Sequence, residues 1–238
     1  MPKIRPYCLT IAGFDPSGGA GVLADCKTFE QNKTQGLAVM TANTFQTEDS
    51  FQRVDWIADE IILEQLHLLL DRYKIRFIKI GLISSGELLE KIVHALNQKC
   101  VNPTIVWDPI LSATAGGEFN AKRFNEFLKS EACKNLIITP NLPEYESLEL
   151  KNSSNTIYLK GGHAEIIGKD FLHFEGKVFP LSPQVKTDFS KHGTGCIFSS
   201  ALLANLALEY PMLKACMRAK RYVEKRITSN PSLLAYHK

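Results

Sequence analysis

The residues best suited to chemistry lie in a short glycine-rich stretch near the carboxyl end, "HGTGC" at residues 192–196. Gly193 and Gly195 allow a ligand to approach the backbone closely. The small, apolar run behind them, "IFSSALLANLA", predicts a helix whose first N–H groups attract phosphate oxygens and developing negative charge. Cys196 begins this helix, where we expect a lowered thiol pKa. These five residues indicate an anion hole, and a flexible turn with a structural thiol is an equally good interpretation of them alone.

Two carboxylates and a lysine follow three other strand patterns. Asp108 and Glu144 suit hydrated Mg²⁺, which prefers one or two carboxylates plus phosphate oxygens. Lys160 suits the same phosphate as a point charge. Singly, the three are a turn-forming Asp-Pro pair, a solvated glutamate and a lysine that reaches the surface. Together with an anion hole they are what phosphoryl transfer needs, because that reaction depends on positioning and charge neutralisation. The set predicts a kinase.

A second glycine-rich loop, "GFDPSGGAGVLAD" at 13–25, resembles nucleotide-binding loops only superficially. It lacks the Lys-Ser/Thr pair of a Walker A loop. It contains G-x-G-x-x-A at Gly19, Gly21 and Ala24, but the next strand pattern ends without the acidic residue that a dinucleotide site requires. These glycines are better explained as residues that let the backbone approach a small ligand or close a tight turn.

Alternating strand and helix patterns must position these groups. Six short apolar runs predict strands at 7–13, 36–45, 76–83, 104–111, 135–141 and 156–162. Helical patterns occupy 58–73 and 85–99, the second opened by Ser85 as a cap. We therefore expect an α/β protein with a mostly parallel sheet covered on both faces, and a ligand crevice at the carboxyl ends of the strands. A β-hairpin near 168–187, turning at Glu175-Gly176, and a single domain over 1–238 complete the prediction.

Composition excludes several classes of protein. The chain of 238 residues has a net charge of +3 and 45% hydrophobic residues, which favours neither a nucleic-acid nor a membrane partner. The basic stretch at 214–226 is typical of the solvated face of a helix. The amino terminus lacks a signal-peptide pattern, and the six cysteines are scattered without a C-x-x-C pair. We expect reduced thiols and a cytoplasmic protein.

Six motifs occur in the order found in one known family: "IAGFDPSGGAGVLADCKTF", "KIGLI", "WDPIL", "TPNLPEYE", "LKGGH" and "HGTGCIFSSAL". Over about residues 8 to 208 the chain resembles the hydroxymethylpyrimidine/phosphomethylpyrimidine kinases of thiamine biosynthesis, in the ribokinase-like superfamily. The resemblance implies a ribokinase-like α/β fold and a homodimer. It also implies that ATP and Mg²⁺ serve to phosphorylate 4-amino-5-hydroxymethyl-2-methylpyrimidine and then its monophosphate.

The resemblance also assigns roles to individual positions. Substrate binding falls to Gly13, Asp25, Gln46, Leu82 and Ile110. ATP binding falls to Asn141, Glu144, Lys160, Gly162, Gly193 and Gly195, and the metal to Asp108 and Glu144. The catalytic group comprises Lys160, Gly193, Thr194, Gly195 and Cys196.

Residue chemistry supports part of this assignment. A carboxylate at Asp25 can accept from the 4-amino group, and the Gln46 amide can pair with a ring nitrogen. An exposed position on the first helix is the alternative interpretation of Asp25. We expect the Cys196 thiolate to accept the hydroxyl proton, a role worth about 10²–10⁴-fold in rate.

The chain also departs from the family pattern. Relatives insert a helix between the segments that correspond to "NLPEYESL" and "TIYLKGGH", where this chain has only a few residues, so the adenine contacts stay unassigned. Leu82 replaces a methionine, which keeps apolar volume. One alternative function is a pyridoxal or pyridoxine kinase on the same fold. The other is a non-catalytic pyrimidine-binding regulatory protein, against which the complete phosphate-binding set argues.

Overall fold

A computed structural model describes residues 4–111, 121–161, 168–185 and 190–237. Its strands are Tyr7–Phe14 (β1), Gln35–Gln46 (β2), Phe51–Trp56 (β3), Phe77–Ile80 (β4), Thr104–Trp107 (β5), Ile137–Ile138 (β6), Thr156–Leu159 (β7), Asp170–Phe174 (β8) and Lys177–Leu181 (β9). Its α-helices are Gly21–Gln31 (α1), Asp59–Arg72 (α2), Gly86–Lys99 (α3), Asn125–Lys129 (α4), Leu142–Ser147 (α5), Thr194–Ala207 (α6) and Met212–Ile227 (α7). Short 3₁₀ turns lie at Ala121–Phe124, Glu131–Cys133 and Leu150–Asn152.

The strands of the described residues form one mixed sheet in the order β3-β2-β1-β4-β5-β6-β7-β8-β9. Six neighbouring strands run parallel, namely β2, β1, β4, β5, β6 and β7. Strand β3 is antiparallel to β2, β8 is antiparallel to β7, and β9 is antiparallel to β8. The chain passes from β1 to β2 on one side and then to β4 on the other side of β1. Ligands bind beyond the carboxyl ends of strands at such a reversal. The predicted α/β architecture is confirmed, and it places the crevice where the motifs end.

Both faces of the sheet are buried against helices. In β5, Ile105 and Trp107 join the core that contains residues of α2, α3 and α4, while Val106 joins the core beneath α1, α6 and α7. Trp107 packs edge-on against Phe124 and Phe127 at ring-centroid distances of 5.4 Å each. Side chains alternate across a strand, so a strand apolar at every position needs cover on both faces. This double cover holds in place the strands at whose ends the site lies.

Most of the predicted elements appear with shifted ends. The six predicted strands and both predicted helices are present, and Ser85 caps α3 by accepting a 3.1 Å hydrogen bond from Leu88 N. The hairpin turns at Glu175 and Gly176, whose φ angles are 50° and 70°. Strand β3 was not predicted, because it is a half-exposed edge strand without a run of buried apolar residues.

The basic stretch at 214–226 forms α7, as the pattern indicates, but its prediction as a solvated face is only partly right. Lys220 and Arg226 are buried in α7, while Lys214 and Lys225 are exposed. All six cysteines are free thiols. Within the described ranges, every helix is too short or too polar to cross a bilayer.

Candidate active site

Lys160 lies between two carboxylates at the carboxyl ends of three consecutive strands. Its Nζ donates to Asp108 Oδ1 at 2.8 Å and lies 3.8 Å from Glu144 Oε2. Asp108 directly follows β5, Lys160 follows β7, and Glu144 stands in the first turn of the helix after β6. The parallel register carries Asn141 next to Lys160 through an isolated β-bridge. Four residues that the motifs identified therefore meet at one edge of the sheet.

Glu144 is held in place by a capping box. Asn141 Oδ1 accepts from Glu144 N, and Glu144 Oε2 accepts from Asn141 N, each at 2.8 Å. Such reciprocal bonds satisfy two otherwise unpaired N–H groups at a helix start. Asn141 thus acts first as an orienting residue for Glu144, which adds a structural role to its predicted contact with ATP.

The two carboxylates differ in their ionisation. Burial alone would raise the pKa of Asp108, but the ammonium groups of Lys160 and Lys79 hold it below its ordinary value. Burial and the nearby charge of Asp108 raise the pKa of Glu144, although Lys160 opposes this effect. Lys160 therefore neutralises one of two adjacent negative charges, which leaves the cluster with a net charge of about −1 when both carboxylates are ionised.

The predicted anion hole opens onto this cluster. Gly193 caps α6 with φ +73°, a left-handed conformation that favours glycine. A Cβ added at Gly195 would lie 3.2 Å from Lys160 Nζ and 3.8 Å from Asp108 Oδ2. Thr194 and Gly195 are only half-buried, so the first turn of α6 is accessible. Ser199 Oγ donates to Asp108 Oδ2 at 3.2 Å, which ties the helix to the carboxylate. The structure therefore places the ammonium group of Lys160 beside the start of α6.

The expected lowering of the Cys196 pKa is wrong. Burial raises the pKa of this thiol to about 11, and the charges of Asp25 and Asp108 add to the effect, while Lys79 opposes it. Only 6% of the residue is exposed. The helix start does not compensate, because its effect amounts to about 0.3–2 kcal/mol, and removal of a thiolate from water costs more.

The predicted contact of Asp25 with the substrate stays a prediction, and the structure shows which protein groups this residue contacts. It has no exposed surface, and its Oδ2 accepts from Thr10 at 2.6 Å and from Lys79 at 2.8 Å. Ser200 donates to Oδ1 at 2.7 Å, so both oxygens are occupied. The alternative interpretation, an exposed residue, is wrong. Asp25 is half of a buried ion pair.

Sequence reasoning overlooked Lys79, the other half of that pair. Burial alone would lower its pKa, but Asp25 and the neighbouring acidic groups hold the pKa above its ordinary value. A Cβ added at Gly81 would lie 2.8 Å from Lys79 Nζ, so glycine leaves room for the ammonium group. A single lysine within the apolar run "FIKIGLI" was the available signal.

The remaining predicted substrate residues lie at strand ends. Gln46 is the last residue of β2, and its Oε1 is buried without a hydrogen-bond partner. A Cβ added at Gly13 would lie 3.0 Å from Leu82 Cδ2, so the two positions are in contact at the ends of β1 and β4. Ile110 is half-buried just after Asp108. An unpaired buried amide oxygen is costly unless a ligand supplies a donor, so Gln46 is the best-supported specificity residue.

Gly162, which was predicted to contact ATP, lies outside the described residues.

A second overlooked pair links the two glycine-rich segments. His192 Nε2 donates to Asp15 Oδ2 at 2.9 Å, and both side chains are buried. Burial alone would raise the pKa of Asp15, but hydrogen bonds from His192, Ser17 and Ala20 N hold it below its ordinary value. Both residues stand in quoted motifs, but nothing in the sequence pairs residues so far apart.

Comparison with known proteins agrees with this geometry. A family model described as phosphomethylpyrimidine kinase matches residues 15–156 and 148–238. The hydroxymethylpyrimidine/phosphomethylpyrimidine kinase of Aquifex aeolicus (strain VF5) is 34% identical over 252 residues, covering 94% of this chain and 95% of that protein. The chain belongs to the phosphomethylpyrimidine kinase family. Its recognition from the six motifs is therefore confirmed.

Solved structures confirm the fold of this phosphomethylpyrimidine kinase family member. The phosphomethylpyrimidine kinase of Clostridium difficile 630 superposes with a TM-score of 0.77 at 30% identity, over 94% of this chain and all of that one, 100%. An ADP complex of Bacillus subtilis pyridoxal kinase superposes with a TM-score of 0.79 at 26% identity, over 94% of this chain and 92% of that one. The fold alone therefore does not separate the two substrate classes, and the site must do so.

Proposed function

We propose that this enzyme uses ATP to phosphorylate 4-amino-5-hydroxymethyl-2-methylpyrimidine, and then its monophosphate to the diphosphate, in thiamine biosynthesis. One observation carries the proposal: Lys160 Nζ lies 2.8 Å from Asp108 and 3.2 Å from the Cβ position that Gly195 leaves empty. A cation and an open helix start therefore face the same small volume. Both stabilise the negative charge of a phosphoryl group during transfer.

Charge neutralisation, rather than proton abstraction, is the main contribution of these residues. Phosphoryl transfer proceeds through a loose transition state that makes little demand on a base. A thiol with a pKa of about 11 is ionised in roughly one molecule in ten thousand at pH 7. We therefore assign to Cys196 a contact that orients the substrate hydroxyl, and to Lys160 with the N–H groups after Gly193 the stabilisation of transferred charge.

Mg²⁺ fits the donor set at the strand ends. Asp108 and Glu144 are two adjacent carboxylates whose joint charge Lys160 only half neutralises. Mg²⁺ binds through one or two carboxylates together with substrate phosphates and retained waters. We propose that these two residues hold the Mg²⁺ of Mg-ATP. Bound there, the ion would neutralise charge on the nucleotide phosphates.

Gln46 supports a pyrimidine over a pyridoxal substrate. Its buried Oε1 needs a donor, and the 4-amino group of the pyrimidine offers one. Pyridoxal has no amino group: its aldehyde can only accept, and its ring hydroxyl offers one donor hydrogen where the amino group offers two. The alternative, a pyridoxal kinase, retains the same phosphate chemistry and differs at this contact.

An ADP-release assay tests the proposal directly. Wild-type protein with Mg-ATP is offered the hydroxymethylpyrimidine, its monophosphate or pyridoxal, and the products are identified by mass. Turnover of both pyrimidines with formation of the diphosphate is expected. Preference for pyridoxal would show that the enzyme is instead a pyridoxal kinase of vitamin B6 salvage. Binding of the pyrimidine without turnover would support the regulatory interpretation.

The family resemblance leads us to expect a homodimer, and the amino-terminal pattern with the scattered cysteines leads us to expect a cytoplasmic protein. We propose a homodimer, for which light scattering coupled to size-exclusion chromatography should give twice the chain mass of 26.6 kDa. We also propose a cytoplasmic location, which fractionation of cells that express the protein would check.

A further inference from the structure

Lys191 immediately precedes the anion hole, where a lysine would be expected to bind phosphate. In the structure, the ammonium group of Lys191 binds other protein groups instead. Only 4% of the residue is exposed, and its Nζ donates to Asn230 O at 2.6 Å, to Asn230 Oδ1 at 3.0 Å and to Ser232 O. An ammonium group has three donor hydrogens. The residues 228–237, which follow α7, are called the C-terminal segment below. This segment accepts all three donor hydrogens of Lys191, so no hydrogen is left for a phosphate.

The C-terminal segment is itself a folded turn built around Asn230. Asn230 Oδ1 accepts from Ser232 N at 2.8 Å, and its Nδ2 donates to Leu234 O at 2.9 Å. Tyr236 N donates to Ser229 Oγ at 2.9 Å. These local bonds present the carbonyl oxygens of Asn230 and Ser232 together, as a ready-made acceptor for one ammonium group.

The same segment reaches both glycine-rich loops. Leu233 O accepts a 3.0 Å hydrogen bond from His192 N, the residue just before Gly193. A Cβ added at Gly19 would lie 2.8 Å from Leu234 Cδ2 and 2.6 Å from His192 Cδ2, so Leu234 and His192 close over the first loop. The C-terminal segment, the first loop and the anion hole therefore form one packed unit.

The packing at this junction leaves little freedom. A Cβ added at Gly193 would lie only 2.0 Å from Gly19 O, so the two glycine loops touch through their backbones. The 2.9 Å hydrogen bond from His192 Nε2 to Asp15 Oδ2 links the two loops a second time. A shift of the segment 191–192 would therefore move the N–H groups of the first α6 turn relative to Lys160.

We propose that Lys191 is a positioning residue. Its hydrogen bonds to Asn230 hold the C-terminal segment in place, and the segment in turn keeps the anion hole in the orientation that phosphoryl transfer needs. Lys191 is not a phosphate ligand. This inference rests on the proposed kinase function only for its kinetic readout. Misplacement of a positioning group by about 1 Å costs up to about 10²-fold in rate.

Three variants test this role, namely Lys191→Met, Asn230→Ala and the double variant, with Lys225→Met as the matched control on the exposed face of α7. Met keeps the length of the lysine stem and removes the donors. Asn230→Ala leaves Lys191 intact and removes the side-chain acceptor Oδ1, together with the side-chain bonds of Asn230 that present the two backbone carbonyl oxygens to Lys191. We expect kcat to fall about 10- to 100-fold in both single variants. The KM for the pyrimidine should stay within about threefold, and the double variant should resemble either single one, because both break one link.

The opposing results are distinct. A fall in kcat with Lys191→Met but not with Asn230→Ala would show that Lys191 acts other than through the turn built around Asn230, and would overturn the proposal. Additive losses, or unchanged kcat in both single variants, would overturn it as well. Melting curves for each variant ensure that only folded protein is compared.

A readout without substrate separates this inference from the proposed function. Amide hydrogen–deuterium exchange of the peptide spanning 191–198 should become faster in both single variants and stay unchanged in Lys225→Met. Unchanged exchange in both single variants would overturn the positioning role. A wild-type protein that phosphorylates none of the offered substrates would refute the function while leaving the exchange result valid.

Discussion

The ammonium group of Lys79 donates a 2.8 Å hydrogen bond to the carboxylate of Asp25, and neither side chain has any exposed surface. Thr10 and Ser200 donate to the same carboxylate, so the pair connects β1, α1, β4 and α6. The pair lies beneath α6 and influences the pKa of Cys196. The same ion pair therefore stabilises the fold and holds α6 in position.

Removing one member of this pair should destabilise the protein strongly. Lys79→Met leaves Asp25 as an uncompensated buried charge, which costs about 3–5 kcal/mol. The double variant Asp25→Asn with Lys79→Met removes both charges and should recover much of that loss. Urea unfolding measures both free energies. Equal losses in the single and double variants would show that the charge balance is unimportant here.

Lys160 should be needed for turnover, and its loss should also lower stability because the buried carboxylate of Asp108 loses a partner. Lys160→Met removes the cation that faces the transferred phosphoryl group, so we expect kcat to fall by about 10²–10³-fold, as when one donor to developing charge is lost. Lys177→Met, at an exposed position on β9, is the control and should behave as wild type. Steady-state kinetics at saturating Mg-ATP and pyrimidine check this. A kcat within threefold of wild type would remove Lys160 from the mechanism.

Gly195→Ala should separate stability from activity. The added Cβ would lie 3.2 Å from Lys160 Nζ, the end of a flexible side chain that can shift. Alanine also favours helix over glycine by up to about 1 kcal/mol. We expect unchanged or higher thermal stability together with a kcat lower by about tenfold or more.

Gly176→Ala provides the contrast to that substitution. Gly176 has φ +70° and open space around its Cβ position, so alanine there should strain only the hairpin. Slightly lower stability with unchanged kcat is expected from melting curves and kinetics. Loss of kcat in Gly176→Ala but not in Gly195→Ala would contradict the assignment of the anion hole.

The pH profile tests the role of Cys196. If a thiolate with a pKa of about 11 were the base, kcat would rise about tenfold per pH unit between pH 7 and 9, because the thiolate fraction rises by that factor. We expect instead a nearly flat kcat over this range, and Cys196→Ser should retain turnover within about tenfold. A steep rise that disappears in Cys196→Ser would restore the thiolate as base.

Much of the fold and part of the site follow from local patterns. Short apolar runs identified six strands, because a strand buried on both faces must be apolar throughout. Asp108, Glu144 and Lys160 were assigned correctly to one cluster, since the carboxyl ends of parallel strands share an edge of the sheet. Strand β3 escaped prediction because an exposed edge strand carries little apolar signal.

The sequence by itself determined the family, the parallel architecture and the residue types at the strand ends, since these depend on short-range periodicity and contiguous motifs. Only the tertiary structure decided what individual charged groups do. Asp25 meets Lys79 from 54 residues away, and Lys191 meets Asn230 from 39 residues away. Burial of Cys196 likewise reversed the direction of its expected pKa shift. Desolvation and pairing depend on neighbours distant in the chain, and local sequence does not specify those neighbours.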